Sequence, residues 1–323
     1  MKAVWRTLLP LIAAATVALA TTGTVSARAT RHLSPADNPG GPHRMAALGD
    51  SLSAAWASPG APYSDPTASW STGTKTAVAS HFARLVARQP LAGWDAVNLA
   101  VPGAKAADLA KQAAQVPLGT SYITITIGIS NVCVASVTSP GRIVTQKIFA
   151  TGVRAALDIL AADRPHARIL VASIPDVYSI WSRLHGDPDL TAAWRRPGTC
   201  PLVFGPAATP ATREAVRFAT IGFNLALEER CRKFTMCRYD NGATYDLKFG
   251  KADLSTYDGL HLSIAGQARL AKATWNAGWF RTRRTARKGS SGNTCRSGTV
   301  ELHDQAGPSC RPGRPPRPGT TTR

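Results

Sequence analysis

The sequence is poor in acid: 19 Asp and Glu stand against 38 Lys and Arg, a formal net charge of +19. Any charged partner is therefore expected to be anionic. No internal repeat is present, which excludes a stacked-repeat architecture. The six cysteines keep no zinc-finger rhythm, and the Arg residues are not interleaved with aromatics as in a known nucleic-acid module. A structural zinc site and a specific nucleic-acid partner are set aside on those grounds. Only one apolar run approaches membrane length, "LLPLIAAATVALATTG" near the N-terminus, and it is too short for a comfortable span. Charged residues make up 18% of the chain and hydrophobic ones 44%, so most of it is expected to fold.

That apolar run follows Met1-Lys2 and Arg6 and ends in small residues at Val25-Ser26-Ala27. These are the three parts of a secretory signal peptide, with cleavage after Ala27 or Ala29; the other reading is a retained membrane anchor. The expected organisation is a signal peptide over 1–29, a linker over 30–44, one domain over 45–280, and a tail over 281–323. The tail holds ten Lys or Arg against Glu301 and Asp304, a net of +8, and leaves +11 for the rest. Its Pro-rich and Arg-rich composition predicts disorder and suits an anionic surface, or serves solubility alone.

Export places the cysteines in an oxidising compartment, where an even number is expected to pair. Proximity suggests Cys231 with Cys237 and Cys295 with Cys310, leaving Cys133 with Cys200. Six cysteines nevertheless allow fifteen connectivities.

Apolar periodicity predicts strands over 45–48, 96–99, 122–127 and 168–174, and a weak one over 236–239. Helical patterns fall between and after them, over 76–89, 104–115, 143–163, 212–233 and 264–277. Strict alternation of the two argues for an α/β fold, a parallel sheet with helices on both faces. Ligands of such sheets bind outside the carboxyl ends of the strands, near the switch in strand order.

The loops at those ends carry the chemistry. "MAALGDSLS" stops an apolar strand against Gly49-Asp50-Ser51, which either mounts a nucleophile on a tight turn or merely ends the strand. Pro102-Gly103 opens the second loop and can aim a backbone N–H at the same cleft. Gly128, Ser130 and Asn131 cluster in the third. Asp258 and His261 stand three apart before the last helix, a spacing that lets a carboxylate fix an imidazole tautomer and leave its Nε2 as a base. A metal site is the alternative there, but no second cluster of ligands accompanies the pair.

Gly49-Asp50-Ser51-Leu52, Gly103, Gly128 with its neighbouring Asn, and Asp258-x-x-His261, in this order from about Met45 to Ala277, resemble the four blocks of the GDSL or SGNH hydrolases. Segments such as "SIPDVYSIWSRLHGD" are similar to its secreted actinobacterial branch of esterases and lipases. The resemblance implies a three-layer α/β/α, flavodoxin-like sandwich with a mostly parallel, five-stranded sheet. It implies Ser51 as nucleophile, His261 as base, Asp258 as its partner, and the N–H groups of Ser51 and Gly103 as oxyanion donors. One block departs from the pattern. Ser130 stands where the family carries its oxyanion Asn, and Asn131 comes one position late. Ser130 then donates through its hydroxyl, or the loop shifts to bring in Asn131, or activity is weak.

The expected protein is a secreted, monomeric serine ester hydrolase that acts on a small-molecule or lipid ester without cofactor or metal. A non-catalytic binding protein on the same fold is the alternative that a degraded oxyanion hole suggests. An anionic-polymer binder acting through the tail is the third.

Overall fold

A computed structural model of the protein describes residues 43–135 and 142–280. The expected signal peptide, nearly all of the linker, the basic tail and the Cys295 to Cys310 pairing lie outside the described residues.

The first strand, β1 (Arg44–Gly49), leads through a short 3₁₀ turn (Pro66–Ala68) to α1 (His81–Arg88) and β2 (Asp95–Asn98). A second 3₁₀ turn (Ala106–Asp108) runs into α2 (Leu109–Ala114), and β3 (Thr120–Thr126), α3 (Ile129–Val132) and α4 (Gln146–Asp163) follow. After β4 (Arg168–Val171) come three short helices, α5 (Val177–Leu184), α6 (Pro188–Ala193) and α7 (Pro201–Phe204). Then α8 (Pro210–Cys231), β5 (Cys237–Tyr239), a 3₁₀ turn (Lys251–Asp253) and α9 (Ile264–Ala277) complete the described chain.

The five strands pair in the order β2-β1-β3-β4-β5, and every pairing is parallel. This is the flavodoxin-like order, with its switch point between β1 and β3. Side chains alternate across the sheet as strand geometry requires. Ala46, Leu48, Ile123, Ile125 and Ile169 enter the larger core, while Met45, Tyr122 and Leu170 enter a smaller one with Leu85 of α1 and Trp275 of α9. On the larger side Phe149 of α4 stacks on Phe223 of α8 with ring centroids 4.2 Å apart.

Helix boundaries follow capping more closely than apolar pattern. The helix expected from Thr76 begins at His81, because Ala79 has a positive φ of 47° and Ser80 caps the helix by accepting from Ala83 N. The helix expected over 104–115 divides into its 3₁₀ turn and α2. Thr145 and Thr209 cap α4 and α8, the latter with Pro210 at its first position. Disulfides join Cys133 to Cys200, the pair left as the remainder, and Cys231 to Cys237, the pair that proximity suggests. The first ties α3 to the start of α7, and the second closes the end of α8 onto β5.

Candidate active site

Gly49 ends β1 in a conformation open to glycine, φ 129°, where an added Cβ would sit 1.9 Å from the carbonyl oxygen of Thr126 on β3. This close approach lets the chain turn sharply at the sheet edge. Ser51 follows in a turn closed by Ala54 N to Asp50 O (3.1 Å) and Trp56 N to Ser51 O (2.9 Å). Buried polar groups hold the turn from three sides. Gln112 of α2 accepts from Gly49 N at 2.7 Å and donates to Gly49 O at 2.9 Å. Gln267 of α9 donates to Leu52 O at 3.1 Å.

Asp50 supplies the third tie. Its carboxylate, wholly buried, accepts from Leu52 N and from Gly128 N, both at 3.1 Å. Burial pushes its pKa up to about 6, against the pull of these N–H groups. The Ser51 turn is thus hydrogen-bonded directly to the loop after β3.

That loop does leave strand geometry at glycine. Gly128, with φ 132°, is the N-cap of α3, and Ser130 and Asn131 lie on a helical turn. Ser130 lines the cavity beside Ser51. Asn131 does not: it is buried, and its Oδ1 accepts from Ala106 N at 3.0 Å, so it braces the segment after Gly103. Of the two expected oxyanion side chains, only Ser130 reaches the cavity wall.

The Asp258 and His261 pair is carried by a turn between Leu254 and Leu262, which bridge antiparallel, closed by Ser255 N to His261 O at 2.7 Å. His261 Nδ1 donates to Asp258 Oδ2 at 2.5 Å, while Asp258 Oδ1 accepts from His261 N and Leu260 N at 3.0 Å each. Burial works to raise the Asp258 pKa, but the hydrogen bond and charge of the imidazole hold it below the usual carboxylate range. The carboxylate is therefore charged and committed to Nδ1, and Nε2 is left for other work. Trp194 of the segment after α6 donates its indole N–H to Gly259 O at 3.0 Å and so braces the same turn.

Ser51, Gly103, Ser130 and His261 line one cavity of about 430 Å³, walled by Trp56, Ile129, Val134 and Leu260. Neither the Ser51 N–H nor the Gly103 N–H has an acceptor among the described residues. No hydrogen bond joins Ser51 to His261 among the described residues; such pairs often tighten only in the substrate complex. The described residues hold no group of three or more His, Cys, Asp or Glu able to bind a metal ion.

Sequence reasoning did not single out Gln112, Gln267, Asn131 as a brace, or Trp194. An isolated Gln or Trp carries no spacing signal, and only the fold brings these groups to the site.

A doubly wound parallel sheet with a serine and a His-Asp pair at its switch point defines the layout of a hydrolase. The chain belongs to the GDSL-like lipase/acylhydrolase family, whose profile it matches over residues 47–269. It is thus a hydrolase of the esterase and lipase kind.

Solved structures similar to it include an extracellular lipase from Streptomyces rimosus, 18% identical, with a TM-score of 0.47, covering 73% of this chain and 100% of that one. An acetylxylan esterase from Geobacillus stearothermophilus, in a mutant form, is 14% identical with a TM-score of 0.45, over 74% of this chain and 94% of that one. An α/β hydrolase from the metagenome of Lake Arreo, Spain, is 17% identical with a TM-score of 0.47, over 75% and 98%. No curated protein matches the chain.

Proposed function

We propose that the protein is a secreted serine carboxylic-ester hydrolase working through an acyl-enzyme. The observation that carries this reading is the charged Asp258 held on His261 Nδ1 in a turn that opens on the same cavity as Ser51. His261 Nε2 takes the Ser51 proton as Oγ bonds to the ester carbonyl carbon, whose π electrons pass to oxygen to give a tetrahedral intermediate with an oxyanion. The N–H groups of Ser51 and Gly103 and the hydroxyl of Ser130 receive that charge. As the intermediate collapses, the imidazolium gives its proton to the departing alcohol, leaving an acyl group on Ser51. Water then repeats the cycle in the second half, with His261 as base and Ser51 as leaving group. Export rests on the N-terminal segment and is supported by the two disulfides.

The test is labelling by an active-site organophosphonate, read by intact mass. One adduct is expected on the wild type and none on Ser51→Ala, whose ester hydrolysis should vanish with it. Hydrolysis that survives Ser51→Ala would remove the serine mechanism.

One observation favours a second reading, a binding protein that retains the cleft without turnover: a serine occupies the family's oxyanion-Asn position. Loss of one such donor costs on the order of 3 kcal/mol in the transition state, which slows an esterase without silencing it. Wild-type protein that is folded, unlabelled by the phosphonate and inert toward every ester of a graded acyl series would establish that second reading.

A further inference from the structure

The cavity wall is electrically lopsided. Of the described residues that line it, Lys105 alone carries a fixed charge, and none is a carboxylate. The two acids closest in role are turned inward: Asp258 is taken by the imidazole and Asp50 by backbone N–H groups. Asp108 accepts from the backbone N–H of Lys105 at 2.8 Å, yet forms no ion pair with its ammonium among the described residues. Among the described lysines, Lys75, Lys233 and Lys251 are within 4 Å of a carboxylate and the others are not, so the place of Lys105 on the cavity wall is what sets it apart.

Position sharpens the point. Lys105 lies two residues after Gly103, which lines the same cavity, and its backbone is extended (φ −109°, ψ 168°). Two extended residues span at most about 7 Å, so the ammonium on its four-carbon stem can sweep the volume beside the scissile carbonyl. The remaining walls, Trp56, Pro102, Ile129, Val134 and Leu260, are apolar. A ligand that satisfies both features has a short apolar portion and an anion a few bonds from the ester.

We infer that the site selects anionic esters, those bearing a carboxylate or phosphate close to the scissile bond, and that Lys105 is its specificity-determining residue. This rests on the ester-hydrolase reading above and names its substrate class. The anion is a point-charge contact, as suits the three rotatable donors of an ammonium, and is made in ground state and transition state alike. Its effect is therefore expected in KM more than in kcat.

The experiment compares matched pairs on the full secreted chain. Mono-4-nitrophenyl glutarate against 4-nitrophenyl valerate places the charge on the acyl side. Butyryl-glycerol 3-phosphate against monobutyrin places it on the alcohol side. At low salt, kcat/KM is expected to favour the anionic member of one pair at least tenfold, and that pair reveals which side of the ester faces Lys105. The preference should collapse in Lys105→Met, return in Lys105→Arg, and persist in Lys111→Met, an exposed lysine on α2 that does not line the cavity. Equal rates within both pairs, or a preference that survives Lys105→Met, would overturn the inference.

Calorimetry with monomethyl glutarate against methyl valerate separates this from failure of the hydrolase reading. If no ester turns over, tenfold tighter binding of the anion that depends on Lys105 still upholds the inference, and equal binding overturns it.

Discussion

A buried histidine and a half-buried one meet opposite fortunes on one sheet. His81, the first residue of α1, is sealed under the smaller core: its Nδ1 meets Tyr122 OH at 2.8 Å and its Nε2 meets Thr274 Oγ1 at 2.9 Å. Trp70 and Trp275 pack edge-on against its ring. Thr274 spends its own proton on Leu270 O, so the network assigns the Nε2 proton to the imidazole and leaves Nδ1 to accept from the tyrosine. Burial, with the nearby Arg84 charge, depresses its pKa to about 3. His261 meets a carboxylate on one nitrogen and the cavity on the other. The same side chain is thus a neutral girder where both nitrogens meet hydroxyls, and a candidate base where one meets charge and the other meets space. What surrounds the ring decides its work.

The largest expected effect breaks the pair apart. His261→Ala and Asp258→Asn should each lower kcat by about 10⁴, since the first removes the proposed base and the second its proposed tautomer control. Thermal stability should change little. His81→Leu should do the reverse: it keeps volume but strands the Tyr122 hydroxyl in the core, at about 2–4 kcal/mol of stability, while kcat at low temperature stays near wild type. Measuring kcat and Tm on the same three variants checks both halves. Activity lost in His81→Leu protein that is fully folded would erase the distinction.

An intermediate effect comes from pH. The folded pKa of His81, about 3, lies below the ordinary 6.5, so its contribution to stability is present above about 6.5 and is lost as pH falls toward 3. Asp50 runs the other way. Its pKa of about 6 is raised above 3.8, so its contribution is present below about 4 and is lost as pH rises through 6. The urea midpoint of His81→Leu, titrated from pH 7 to pH 4, should therefore fall less steeply than that of the wild type. The pH dependence of kcat, by contrast, should be the same in His81→Leu as in the wild type, because the partners of His81 are Tyr122 and Thr274 and it does not line the cavity.

How far the sequence announces all this depends on whether a signal is local. The strands β1, β2 and β3 were legible because each is a short apolar run ended by turn residues, and α4, α8 and α9 because periodicity persists over three or more turns. The region 177–204 carries no such pattern, although it is helical. Its three helices span only four to eight residues each, follow the N-cap residues Asp176, Asp187 and Cys200, and are pinned by the Cys133 to Cys200 disulfide and by the stacking of Trp194 on Phe204. Long-range contacts of that kind leave no periodic trace. The candidate site divides the same way. Ser51 and the Asp258 and His261 pair sit in readable motifs, whereas the reach of Asp50 to the α3 loop and the grip of Gln112 and Gln267 on the Ser51 turn exist only in the folded chain.

The smallest expected effect sharpens the open side of the comparison, at a residue that lines the same cavity as the imidazole. Ser130 is half-buried and faces the cavity from a helical turn, so lengthening its side chain by two heavy atoms extends into space rather than into core. A hydroxyl reaches less far than an amide and can rotate its proton away, whereas an Asn Nδ2 offers two fixed donors. Ser130→Asn should therefore raise kcat about tenfold with little change in KM, the pattern of a contact formed mainly in the transition state. Ser130→Ala should lower kcat by a smaller factor if the hydroxyl donates. Asn131→Ala is the poorer probe, because it also frees Ala106 N and loosens the segment behind Gly103. An unchanged kcat in both Ser130 variants, beside active wild type, would mean that the backbone N–H groups of Ser51 and Gly103 carry the oxyanion unaided.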